Sequence, residues 1–206
     1  MARVICGVAA FLLAVPLLMA QRLQPPAPGA KISTTVRCAA DLGRGDKSRR
    51  QFCDVMIAGE GPRSVVMAVP PHTGDVVLMF DLHNRFTVRD DTLDPALAFT
   101  RHTAVVAAVD QAGTVLDQAV VSREYRTVGD LFDRISGGGQ GGLKAVAPGF
   151  AEAIRMTLPA PVSSVGLVGV RLEETTPAGA QVFSAPGRPV AMVSNFRLEY
   201  VPKSPE

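Results

Sequence analysis

Short runs in which apolar and polar residues alternate are the feature that most restricts what this chain can form. Residues 75 to 82, DVVLMFDL, put Val76, Leu78, Phe80 and Leu82 on one side of an extended backbone. Successive side chains of a strand point to opposite faces, so this spacing builds one apolar face. KISTTVR at 31 to 37 sets Ile32, Thr34 and Val36 against Ser33, Thr35 and Arg37. FCDVMIA at 52 to 58 places Cys53, Val55 and Ile57 on one face and Asp54 on the other. IRMTL at 154 to 158 alternates in the same way, and SNFRLEYV at 194 to 201 turns Phe196, Leu198 and Tyr200 inward. SVGLVGVRLEE at 164 to 174 is apolar on both faces, which suggests a central strand. TAVVAAVD and TVLDQAVVS are separated by Gln111, Ala112 and Gly113, a gap of hairpin size.

The breaks between these runs are rich in Gly and Pro, 19 and 16 in 206 residues. Many short strands with such punctuation predict an all-β fold, an antiparallel β-sandwich of jelly-roll or Ig-like type. Two segments, VGDLFDRI at 128 to 135 and PGFAEAI at 148 to 154, read as short helices in connections. Neither is long enough for the crossover of a parallel βαβ unit, which excludes a Rossmann-like arrangement.

The N-terminus has a different pattern. Residues 4 to 20, VICGVAAFLLAVPLLMA, carry no charge and follow Arg3. A short positive start before an apolar run matches a secretory signal peptide. The run spans roughly 25 Å as a helix, short of the roughly 30 Å hydrocarbon core. We therefore assign 1–20 as a signal peptide, with an uncleaved N-terminal anchor as the alternative. A Pro-rich tether, 21–31, follows, then a sandwich domain over 32–202 and a tail over 203–206. This predicts an extracytoplasmic location, periplasmic or secreted, with membrane tethering through the apolar segment as the variant. Arg outnumbers Lys 17 to 4, a bias associated with GC-rich bacterial genomes.

Export changes how cysteines are read. Beyond Cys6 only Cys38 and Cys53 remain, and an even pair in an exported chain predicts a disulfide. Between them lies DLGRGDKSRR, in which Arg44, Lys47, Arg49 and Arg50 form a basic patch. That patch fits anionic headgroups or an acidic glycan, against the plainer reading of a solvated loop. Its Arg44-Gly45-Asp46 triplet matches an adhesion tripeptide, but a motif this short arises by chance.

Asp81 and His83 are two apart on one strand and share a face, so they are polar-site candidates for acid–base or metal chemistry. Their spacing matches no zinc template, and Asp90, Asp91 and Asp94 lack the EF-hand pattern, so no metal or other cofactor is expected. His72 and His102 read as loop or strand-end surface residues. SGGGQGGLK at 136 to 144 contains G-x-G-x-x-G at Gly137, Gly139 and Gly142, but lacks the strand before and helix after that would aim amides at a pyrophosphate. A net charge of +2 gives no basic face for nucleic acid. The absence of Trp disfavours stacking sugar platforms.

The sequence thus points to an exported, non-enzymatic binding or structural module of the bacterial cell envelope, its partner an envelope protein or glycan. A carbohydrate- or calcium-binding accessory domain is the alternative. A metal-dependent or acid–base enzyme using the Asp81/His83 face is the third reading.

Overall fold

The structure, a computed structural model, describes residues 29–57, 65–86, 100–125, 128–136, 145–176, 179–182 and 191–203. The assigned signal segment, most of the tether, the Gly-rich 137–144 stretch, and Asp90, Asp91 and Asp94 lie outside these residues. Among the described residues no helix is long and apolar enough to cross a membrane.

Among the described residues thirteen strands form two antiparallel sheets packed as a sandwich. They are β1 (Ala30–Ser33), β2 (Val36–Cys38), β3 (Asp41–Arg44), β4 (Gln51–Asp54), β5 (Val65–Ala68), β6 (His72–Phe86) and β7 (Thr100–Val109). The series continues with β8 (Val115–Tyr125), β9 (Ile135–Ser136), β10 (Ala145–Leu158), β11 (Ser164–Thr176), β12 (Gly179–Val182) and β13 (Ala191–Pro202). One sheet runs β3-β4-β13-β6-β10-β9, with β1 also paired to β13. The other runs β2-β5-β11-β7-β8, with β12 also paired to β11. The apolar run at 164–174 is central, held between β7 on one side and β5 and β12 in tandem on the other.

The inner faces meet in one core. Val76, Leu78, Phe80 and Leu82 of β6 join Ile154, Met156 and Leu158 of β10 and Phe196 and Leu198 of β13. Val65, Met67, Ala104, Val106, Ala108, Val165 and Leu167 face them from the second sheet. Phe80 and Phe196 stack with ring centroids 5.8 Å apart. Burying each large side chain here stabilises the fold by roughly 1.5–3 kcal/mol.

The sheets are also joined covalently. Cys38 lies on β2 and Cys53 on β4, in different sheets, and the two form a disulfide with Cα atoms 5.5 Å apart. Just beyond it the chain crosses between layers: Val55 N–H donates to the Ala191 carbonyl, and Met56 carbonyl accepts from Gly169 N–H. At another margin β8 lies beside β10, where the Thr157 N–H donates to Asp117 Oδ2 at 2.8 Å. Arg123 of β8 pairs there with Glu152 of β10.

Four sequence expectations differ from the structure. The 31–37 segment is not one strand: β1 joins β13 and β2 joins β5, so the chain changes sheets at Thr34–Thr35. PGFAEAI is not helical but belongs to β10, because pairing with β6 outweighs local propensity. The other proposed helix is a single 3-10 turn, Val128–Asp130. His102 is not a surface residue. It is buried in β7, on the same side as Ala104, Val106 and Ala108, because that strand starts two residues before it.

A disulfide removes loop entropy from the unfolded chain. The Cys38→Ser/Cys53→Ser double variant should therefore lose about 3 kcal/mol in urea unfolding, the value expected for a separation of 15 residues. An unchanged unfolding midpoint would show that the cross-link does not constrain the unfolded ensemble.

Candidate functional site

The outer face of the β6 sheet is not bare. The two edges of this sheet, the β3–β4 hairpin and the 131–136 segment with β9, curl over one end of it, meet at the Gly45–Ile135 bridge and enclose a second small core of Leu42, Phe52, Ile135 and Met192, with Phe132 packed against them. Backbone bonds fix this cap. Gly45 bridges Ile135, Leu131 bridges Gly149, and the Asp46 N–H donates to the Arg134 carbonyl at 2.8 Å. The Arg44-Gly45-Asp46 triplet is thus part of a paired edge and not a free loop tip.

Asp81 and His83 project into this cap, because odd positions of β6 face outward where Leu78, Phe80 and Leu82 face the main core. Arg50 Nη1 lies 2.5 Å from Asp81 Oδ2, and Asn195 Nδ2 donates to the same oxygen at 3.1 Å. Asn195 reaches it from a bulge: the β13 register shifts between Ser194 and Arg197, and Asn195 has φ 57°. Asn tolerates that left-handed conformation better than most residues. Hydrogen bonds to charged groups contribute roughly 1.5–3 kcal/mol, less here because about a third of the Arg50 side chain is exposed, at 35%.

His83 is fully buried between Phe52 and Phe132, whose ring centroids lie 5.1 and 4.8 Å away. Its Nδ1 is 3.3 Å from the Gly149 carbonyl and its Nε2 2.9 Å from Ser194 Oγ. The carbonyl can only accept, so Nδ1 carries the proton and Nε2 accepts from the serine hydroxyl. Burial pushes the imidazole pKa down to about 4, against smaller opposing effects of the Gly149 carbonyl and Asp81. The ring is thus neutral, engaged at both nitrogens and closed to solvent.

Asp133 pins the cap from above. Its Oδ1 accepts from the Lys47 N–H at 2.9 Å and the Arg134 N–H at 2.7 Å, and its Oδ2 from the Ser48 N–H at 2.7 Å. Burial alone would raise its pKa. The bonds from the Ser48 hydroxyl and these amides outweigh that and hold it below the usual carboxylate range. Gly45 is required here, since a Cβ would sit 2.2 Å from Asp133 Oδ2.

The four cations of the predicted patch divide. Arg50 is turned inward onto Asp81, and its guanidinium carbon lies 5.3 Å from the Phe132 ring centre. Arg44, Lys47 and Arg49 are exposed, and Arg134 joins them from the 131–136 segment. Sequence reasoning missed Arg134, and no spacing signal ties it to residues ninety positions earlier. Asp46, Lys47, Leu131, Phe132, Asp133 and Arg134 line a shallow cleft of about 290 Å³. Among the described residues no group of three or more His, Cys, Asp and Glu is placed to hold a metal ion.

A second polar group lies inside the sandwich. Tyr125 O–H donates to Asn84 Oδ1 at 3.5 Å, and the His102 ring lies 5.5 Å from the Tyr125 ring. Tyr125 packs so closely on Gly149 that a Cβ there would meet it at 2.1 Å. Burial pushes His102 down to about 3, with Arg85 adding to the effect. On β4, burial pushes Asp54 up to about 7, and its Oδ1 has no hydrogen-bond partner.

No protein-family model matches the chain, and no curated protein matches it. Among solved structures it is similar to a cleaved adhesin domain of Lys-gingipain from Porphyromonas gingivalis, at 12% identity and a TM-score of 0.34. That alignment covers 87% of this chain and 94% of the other.

The buried groups set the pH dependence. His83 and His102 bind protons when unfolded below pH 6.5 but stay neutral in the fold down to about 4 and 3. Each therefore contributes stability above pH 6.5 that is lost as pH falls. Asp54 opposes them, staying protonated in the fold up to about 7 and ionised in the unfolded chain above 3.8. The unfolded state thus holds about one net proton more between pH 4.5 and 6, and stability should rise by roughly 1.4 kcal/mol per pH unit there. Asp54→Asn should roughly double that slope in urea unfolding across the window. An unaltered slope would mean that Asp54 is ionised in the fold.

Proposed function

We propose that this chain is an exported, non-enzymatic module of the bacterial cell envelope that binds its partner through the basic outer-face cap. The observation that carries this reading is the division of labour among the charged groups. Asp81, Arg50, His83 and Asp133 are committed to holding the cap, whereas Arg44, Lys47, Arg49 and Arg134 are displayed on it. An imidazole closed to solvent and bonded at both nitrogens supplies no proton transfer to a substrate, which supports binding over acid–base catalysis. The disulfide between the sheets supports an oxidising compartment. The apolar run at 4–20 supports export, with the sandwich displayed beyond a Pro-rich tether.

Two measurements test this. Fractionation of expressing cells should place the protein outside the cytoplasm with a mature N-terminus near Gln21; an intact Met1 on soluble cytoplasmic protein would refute export. On an immobilised sulfated polysaccharide, the Arg44→Ala/Lys47→Ala/Arg49→Ala variant should elute at markedly lower salt than the parent. Equal retention would show that the cap is not the binding face.

A further inference from the structure

We infer that the binding face continues beyond the cap onto the adjoining outer face of the β6 sheet, where Arg155 and Arg197 take further groups of a linear acidic glycan. This rests on the cap being a binding face, and it adds the course of the ligand and the form it must have. Arg197, Met79 and Arg155 stand in one row across β13, β6 and β10, in register as direct neighbours. All three face outward, because Phe196, Leu198, Leu78, Phe80, Ile154 and Met156 on either side of them enter the main core. Neighbouring strands lie roughly 4.8 Å apart, so the row is about 10 Å wide. Asp81, which anchors the cap through Arg50, is the next outward residue of β6, about 7 Å along the strand. The row therefore lies at the foot of the cap.

The charges of this row are only partly answered within the fold. Arg155 Nη1 donates to Met79 Sδ at 3.0 Å, which draws the guanidinium of a β10 residue over β6. Its Nη2 lies 3.6 Å from Glu199 Oε2 on β13, too far for a direct hydrogen bond, and the side chain is 59% exposed. Glu199 also has a further interaction of its own. Arg197 is two residues from Glu199 on the same face of β13 and is exposed. Among the described residues it makes neither a side-chain hydrogen bond nor an ion pair. Two arginines thus stand beside one carboxylate, and the row keeps a net positive charge. On the cap, Arg49 has φ 59°, a left-handed conformation that glycine adopts at far lower cost. Its guanidinium is likewise unused by the fold, so the loop carries that strain for a side chain turned to solvent.

The step between cap and sheet decides which partner can use both. The cap encloses its own small core above the sheet, so its top stands higher than the Met79 row. A bilayer is flat on this scale. Seated on Arg44 and Arg49, it does not descend to Arg155 and Arg197. A linear polyanion follows the step, with some of its charged groups on the cap and others in the row. Single-stranded nucleic acid is such a chain, but its binding sites combine cations with aromatic rings on which bases stack. This row offers Met79 and no ring, since Phe80 and Phe196 stack with each other inside the core. A sulfated or carboxylated glycan needs only spaced cations, and guanidinium groups pair well with either anion.

The experiment is calorimetric titration of the full chain with a heparin-derived tetrasaccharide and dodecasaccharide. The longer chain should bind the parent about tenfold more tightly or better, because only it engages cap and row together. In Arg155→Gln/Arg197→Gln that advantage should shrink to about threefold or less. Arg44→Gln/Arg49→Gln should weaken the dodecasaccharide about fivefold or more. Arg197→Gln alone, which removes no bond of the fold, should weaken it about threefold, and Arg197→Lys should restore most of the loss. Circular dichroism and urea unfolding of each variant separate lost binding from lost folding. An undiminished length advantage in the row variants overturns the inference, while a loss in the cap variant still leaves the cap as the binding face. Phosphatidylglycerol vesicles or an oligothymidylate that bind more tightly than the dodecasaccharide, and depend on Arg197, overturn the choice of a glycan. No loss in either pair of variants, or no binding of any anionic probe, overturns both readings.

Discussion

Fifteen residues of β6 have to satisfy two environments at once, and most of the molecule follows from how they do so. Even positions from Val76 to Leu82 enter the main core. On the opposite face Asp81 and His83 meet the outer cap, where Asp81 needs a counter-charge and His83 needs partners for both nitrogens. A buried carboxylate without a partner would cost several kcal/mol. The Asp81–Arg50 pair therefore does more than join two residues. Together with the β4–β13 pairing it holds the loop of the β3–β4 hairpin over β6, and that loop in turn binds Asp133 through the Lys47 and Ser48 amides. The cap is organised by polar groups but sealed by Phe52, Leu42, Ile135 and Met192.

The apolar side of this arrangement is legible in the sequence. Alternation alone marks the core positions of β6, β10 and the second half of β13, and the hairpin at Gln111–Gly113 appears where its gap places it. What the sequence conceals is every change of phase. Before Asn195, Ala191 and Val193 face inward; after it, Phe196 and Leu198 do. The single inserted residue reverses the parity of the strand, and a period of two cannot reveal where it is reset. The same reset occurs between Gly169 and Arg171, so that Val165 and Leu167 are followed inward by Leu172. The split of residues 31–37 between two sheets is hidden for a related reason, since both halves keep a strand pattern while changing partners.

The polar site was legible only in part. That Asp81 and His83 share a face follows from their spacing, and the structure places them together in the cap. Nothing local announces that Arg50 would leave the basic patch to neutralise Asp81, or that Ser194 and Asn195 would arrive from a strand more than a hundred residues later. Such partners are set by strand order, which a single sequence does not encode in its periodicity. His102 illustrates the converse: a polar residue beside Arg101 looks solvated until the strand is known to begin at Thr100.

The margin where β8 lies beside β10 bears on how this molecule behaves among copies of itself. An uncovered strand offers amides and carbonyls to any extended chain of matching length, and open sandwiches are vulnerable there. Here the Thr157 amide is occupied by Asp117, and Arg123 and Glu152 hold the neighbouring strand across the gap. The two borders of the sheets guard each other with side chains where a barrel would use backbone bonds. A second copy seeking to add its strand at this margin would first have to displace a carboxylate and an ion pair.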